Sequence, residues 1–153
     1  MKTILSVWLA CTVLSATAAA ADKPNFTGVW TMNAAKSNFG GGPAPDSMDR
    51  KISHAEPALF IDEEQLTALG VQKTARKYTT DGTAMAFESQ GTQVTSSAVW
   101  EGNTLIVVSK VTAIGVQFTD KMTLSEDGNT LTSAVRIDSA QGGVDLKVVF
   151  DRK

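Results

Sequence analysis

VQFTDKMTLSEDGNTLTSAVRID, residues 116–138, decides the fold class. In its first half Phe118, Met122 and Leu124 fall on one side of an extended chain, and Thr119, Lys121, Thr123 and Ser125 on the other. In its second half Leu131, Val135 and Ile137 fall together. A side-chain period of two belongs to a strand with one buried and one wet face, the signature of an antiparallel sheet. Between the halves stands Asp127-Gly128-Asn129, residues that accept the positive φ angles of a tight hairpin turn.

The same pattern extends outward. In residues 144–151, Val144, Leu146, Val148 and Phe150 alternate with Asp145, Lys147 and Asp151. Trp100-Glu101-Gly102-Asn103-Thr104-Leu105 rhymes with Glu126-Asp127-Gly128-Asn129-Thr130-Leu131, which reads as repeated hairpin chemistry rather than duplication. Asp81-Gly82, Gly91, Gly115 and Gly142-Gly143 punctuate the chain at similar spacing, with runs rich in Val, Thr, Ile and aromatics between them. Residues 33–39 fit a turn of helix, and 63–69 are a weaker helical candidate. The expectation is all-β: a single up-and-down antiparallel barrel of about 8–10 strands, with a two-sheet β-sandwich as the alternative. A long meander that closes hides its sticky edges.

Lys2, the apolar run 4–14 and the alanine-rich stretch 15–21 describe a secretory signal peptide. The run is about half the ~20 residues needed to span a bilayer. Cleavage is expected after Ala20, giving a leader at 1–20 and one domain at 21–153; a lipoprotein signal ending at Cys11 is the alternative. The single cysteine would leave with the leader, so disulfides and thiolate chemistry are excluded from the mature chain. Such a domain, exported without disulfides, leans toward a bacterial envelope, periplasmic or secreted. Loss of Lys2 takes the formal charge from −2 to −3, without a basic stripe, which argues against nucleic acid. No later segment is apolar enough to span a membrane, and a monomer is expected.

Reactive chemistry is sparse. His54 is the only histidine and reads as a surface or strand-end residue. Asp62-Glu63-Glu64 has no calcium-loop spacing and reads as a solvated acidic face. No metal site, cofactor site or catalytic residue is assigned. Two charges stand out because they fall on apolar faces: Asp120 between Phe118 and Met122, and Arg50 between Met48 and Ile52. Arg76 shares a face with Thr74 and Tyr78 in a run polar on both sides, whose register stays open. A charge on an inward face is expensive unless it is paired or meets water. Arg50 and Arg76 are therefore candidates to grip a ligand carboxylate, with Asp120 as counter-ion; a structural buried pair is the other reading.

Gly28-Val29-Trp30, early in the mature chain and followed only by strands, resembles the G-x-W signature of lipocalins and the wider calycin group. With Thr80-Asp81-Gly82 and the two Gly-Asn hairpins, residues 24–151 are similar to small secreted bacterial lipocalin-like proteins. The resemblance implies that Gly28 admits a close backbone approach, that Trp30 packs across the closed barrel end, and that Arg152 covers its indole. The expected function is an exported barrel that binds a small apolar or amphipathic ligand without catalysis. Candidate wall residues are Phe60, Met85, Phe87, Trp100, Phe118 and Met122, beside Arg50, Arg76 and Asp120. The alternative is an envelope interaction or inhibitor-like module acting through the loop at 40–46 and the turn at 113–115.

Overall fold

Residues 23–89 and 91–153 are described by the structure, a computed structural model. The expected leader, 1–20, lies outside them. Ten strands follow in order: β1 Gly28–Met32, β2 Ser47–Ala55, β3 Ala58–Thr67, β4 Gly70–Thr79, β5 Met85–Ser89, β6 Thr92–Glu101, β7 Thr104–Val111, β8 Val116–Leu124, β9 Thr130–Ser139 and β10 Gly142–Arg152. Each pairs antiparallel with its chain neighbour, except β4 with β5, and β1 also pairs with β10. The sheet thus curls into an up-and-down barrel, closed except along the β4–β5 seam. There the two edge strands approach without a ladder, and a lone Asp81–Val99 bridge ties the lower end of the seam to β6.

The alternation in 116–138 becomes β8 and β9, joined at the turn where Gly128 takes φ +72°. The turn in 33–39 appears as a single 3-10 turn at Ala34–Lys36. The weaker helical candidate at 63–69 is instead the end of β3 and its hairpin turn. That stretch is hydrogen-bonded to β2 on one side and β4 on the other, and this pairing overrides local helix propensity.

One barrel end is plugged. Phe26, Trp30, Leu59, Leu105, Leu131 and Phe150 are fully buried there. Trp30 Nε1 donates to the Phe26 carbonyl at 2.9 Å, and the Arg152 guanidinium lies 4.2 Å from the indole centre. Arg152 also donates to the carbonyls of Gly128 (2.8 Å) and Thr27 (2.7 Å). A Cβ on Gly28 would stand 2.5 Å from Arg152 Nη1, so the glycine admits this lid.

His54 is not a surface residue. It continues the inward phase of Met48, Arg50 and Ile52, and its side chain is 2% exposed. The ring stacks with Phe26 at 5.6 Å, and Nδ1 accepts the Phe26 backbone N–H at 3.2 Å. Nε2 is left to donate to Glu56 Oε1 at 3.0 Å, an oxygen that also accepts Trp100 Nε1 at 2.7 Å. Trp100 therefore belongs to the plug: it stacks on Phe26 at 5.6 Å and does not form a cavity wall.

Candidate functional site

Above the plug the lumen opens into a cavity of about 380 Å3. Its floor is a chain of polar groups that crosses five strands. Glu63 of β3 sits between two arginines: Arg50 Nε of β2 donates to Glu63 Oε2 at 2.5 Å, and Arg76 Nη2 of β4 stands 2.8 Å from the same oxygen. Arg50 Nη1 reaches on to Ser133 Oγ of β9 at 3.3 Å, and Ser133 meets both carboxylate oxygens of Asp120 on β8 at 2.6 Å. The Arg50 guanidinium also covers the Phe150 ring at 4.4 Å. Two guanidinium groups and two carboxylates balance, as charges held in a low-dielectric interior must.

The electrostatics follow from this packing. Burial pushes the Glu63 carboxyl up, but the flanking Arg50 and Arg76 outweigh it and hold the group at about 2. Burial works against the Arg76 cation, yet Glu63 beside it raises the guanidinium above its usual value. The Tyr78 hydroxyl is pushed up by burial. Arg50 has Nε and Nη1 engaged, whereas Arg76 keeps Nε unmet. Its Nε is shielded from solvent and has no hydrogen-bond acceptor among the described residues. Its Nη2 is paired with the Glu63 carboxylate at 2.8 Å.

Of the residues singled out in the sequence, Arg50, Arg76, Phe87, Phe118, Asp120 and Met122 line this cavity together. Phe60 does not: it points outward from β3, is 42% exposed and carries Lys77 over its ring at 5.3 Å. The hydrophobic phase of β3 is set by Leu59 and Ile61, which leaves Phe60 on the wet face. Met85 shares the inward side of β5 with Phe87 but lies outside the lining, and Trp100 is spent on the plug. Glu63 was the residue missed. Its acidic neighbours Asp62 and Glu64 are solvated, while Glu63 continues the inward phase of Leu59 and Ile61. Ser133, fully buried, gave no sequence signal beyond its place in the alternation of β9.

A second hollow of about 510 Å3 lies outside β1–β4. Two ion pairs cross it at the surface, Lys73 with Glu64 (2.7 Å) and Lys153 with Asp49 (3.2 Å).

Solved structures share this architecture. A secretory abundant heat soluble protein of Ramazzottius varieornatus superposes with a TM-score of 0.65 at 11% identity, over 84% of this chain and 95% of that one. The ten-stranded, nearly closed barrel matches the fold of fatty-acid-binding-protein and lipocalin-like structures. Fatty-acid-binding protein 1 of Echinococcus granulosus matches with a TM-score of 0.59 at 14% identity, over 83% of this chain and 96% of that one. A zebrafish ileal bile acid-binding protein, complexed with cholic acid, matches with a TM-score of 0.59 at 15% identity, over 84% and 98%. No family model matches the sequence, and neither does any curated protein. At these identities the likeness speaks for the fold alone.

Proposed function

We propose that the chain is an exported barrel that binds one small apolar or amphipathic molecule in its lumen and does no chemistry on it. The observation that carries this reading is Arg76 Nε, a solvent-shielded donor without an acceptor among the described residues, beside a cavity walled mainly by aliphatic and aromatic side chains. An unsatisfied buried donor costs roughly 1–3 kcal/mol. A carboxylate or similar oxyanion on the ligand removes that cost, and the planar guanidinium fork suits it. Structures of this fold that are named for fatty-acid and bile-acid binding support a ligand of this size and kind. Carriage rather than catalysis is supported by Glu63: a carboxyl held at about 2 exchanges no proton near neutral pH. The leader-like sequence at 1–20 supports export to a periplasm or the exterior, where the barrel acts as a monomer.

Native mass spectrometry of protein purified from its host tests this reading. The expected result is a retained small molecule bearing an acceptor group, and its loss from Arg76→Ala. A ligand-free mass together with a protein recovered in pull-down would instead favour an interaction module. For that second reading the supporting observation is at the open end, where Leu69 in the β3–β4 turn is 90% exposed and Ile114 in the β7–β8 connection 69% exposed.

A further inference from the structure

Two turns at the open end of the barrel repeat one another. Leu66-Thr67-Ala68-Leu69-Gly70-Val71-Gln72 closes the β3–β4 hairpin, and Val111-Thr112-Ala113-Ile114-Gly115-Val116-Gln117 connects β7 to β8. Five of the seven positions are identical, and the other two exchange one aliphatic side chain for another. Turn geometry accounts for part of the pattern. Gly70 and Gly115 take φ +99° and +63°, Thr67 Oγ1 accepts the Leu69 N–H at 3.2 Å, and the Thr112 carbonyl accepts the Gly115 N–H at 3.3 Å. Nothing in that geometry asks for Leu69 or Ile114. Tight turns ordinarily carry Asn, Asp or Gly at their tips. Here Leu69 is 90% exposed and Ile114 69%, with Val71 at 58% and Leu66 at 40% behind the first tip.

The two ends of the barrel also differ in charge. At the plugged end the turns and their flanks hold Glu56, Asp81, Glu101, Glu126 and Asp127, against Lys23, Arg152 and Lys153. At the open end Asp46 sits in the β1–β2 connection, but the hairpin stretches 65–72, 89–93, 111–119 and 139–144 hold no charged residue. Behind each apolar tip stands a lysine: Lys73, paired with Glu64 at 2.7 Å, and Lys110, exposed and without an ion-pair partner among the described residues. Such a tip suits the boundary of a bilayer, where aliphatic side chains enter the acyl region and an ammonium reaches lipid phosphate. A folded partner suits it less. The tips stand on separate hairpins either side of the β5–β6 turn, and Leu66, Leu69, Val71 and Ile114 together fall short of the about 800 Å2 per partner that a stable protein interface buries. We infer that the open end docks on an anionic lipid bilayer. Leu69 and Ile114 enter its headgroup–acyl boundary, and the acidic plugged end is turned away from the surface. Ile114 also lines the cavity, so docking turns the mouth of the lumen toward the lipid.

Flotation of the purified chain with mixed phosphatidylethanolamine–phosphatidylglycerol vesicles tests this. The chain is expected to float with the lipid. A Leu69→Asn, Ile114→Asn variant keeps residues that tight turns accept, and its near-ultraviolet spectrum checks that the barrel is intact. Its partition onto the vesicles should fall at least about tenfold, since two aliphatic side chains no longer leave water. Insertion is read directly with Leu69→Trp, whose new indole should be quenched by lipids brominated in the acyl chain. Phe60→Trp, on the outer wall, should not be quenched, and Trp30 and Trp100 lie in the plug at the far end. A chain that stays off the vesicles, a double variant that floats as well as the wild type, or an unquenched Leu69→Trp would each overturn the inference. So would a dimer of the unmodified chain, free of lipid and lost in the double variant, because a second copy would then cover the tips. None of these results decides the lumen reading, which is read separately by a retained ligand or by binding of the dye anilinonaphthalene sulfonate.

Discussion

Glu63→Gln removes one charge from the middle of the lumen floor and changes almost nothing in shape. The glutamine oxygen can still accept from Arg50 Nε, so what disappears is the countercharge that Arg50 and Arg76 share. Two routes give the magnitude. Holding the carboxyl at about 2 rather than 4.5 corresponds to roughly 3 kcal/mol of native-state stabilisation. Removing one partner of a buried ion pair costs about 3–5 kcal/mol. Because the folded value is depressed, the stabilisation is fully present above about pH 4.5 and is lost as pH falls toward 2. Urea unfolding at neutral pH should therefore place Glu63→Gln about 3 kcal/mol below the wild type. Repeated between pH 5 and pH 3, the difference should narrow by roughly 2 kcal/mol, because the carboxyl of the unfolded chain takes up a proton while that of the folded protein stays ionised. The exposed carboxylates Asp49, Asp127 and Asp151, also held low by their hydrogen bonds, are common to both proteins and cancel in the difference. A variant within about 1 kcal/mol of wild type at pH 7, or one that keeps the full acid sensitivity, would refute the buried-countercharge account.

Gly28→Ala should lower stability by about 1–3 kcal/mol, because φ is +154° there and the new Cβ meets Arg152. Measured again in an Arg152→Ala background, its cost should shrink, and equal costs in both backgrounds would show that the two do not touch. Ser133→Ala should cost about 1–3 kcal/mol by uncoupling Arg50 from Asp120, read as a shift in thermal midpoint. Phe60→Ser should leave dye binding in the lumen unchanged, whereas Phe118→Ala should weaken it; an effect of equal size from Phe60 would contradict its outward placement.

The barrel was legible because period-two runs and Gly-containing turn pairs dominate the chain, and β8–β9 and β10 show both without ambiguity. The lid of Arg152 on Trp30 followed from the G-x-W resemblance, not from any pattern in the residues themselves. The floor was half legible. Arg50 and Asp120 betrayed themselves as charges on apolar faces, but Glu63 lay hidden in an acidic triplet where its two neighbours do what exposed carboxylates ordinarily do. Phase was the deciding signal: extending Leu59–Ile61 by two residues puts Glu63 inside, and the same rule puts Phe60 out and His54 in. Trp100 was assigned the right face but the wrong height, since alternation tells inside from outside and says nothing about depth.

The central claim is that Arg76 Nε, shielded from solvent and without an acceptor among the described residues, is the lumen's waiting donor. The chain has four arginines, Arg50, Arg76, Arg136 and Arg152, few enough for their side-chain Nε–H signals to be resolved in a proton–nitrogen correlation spectrum. Cholate or dodecanoate added to saturation should move the Arg76 signal and slow its exchange with water, while Arg136 on the outer surface and Arg152 on the plug stay in place. An Arg76 signal that does not respond, or a response confined to Arg136 or Arg152, would contradict the claim.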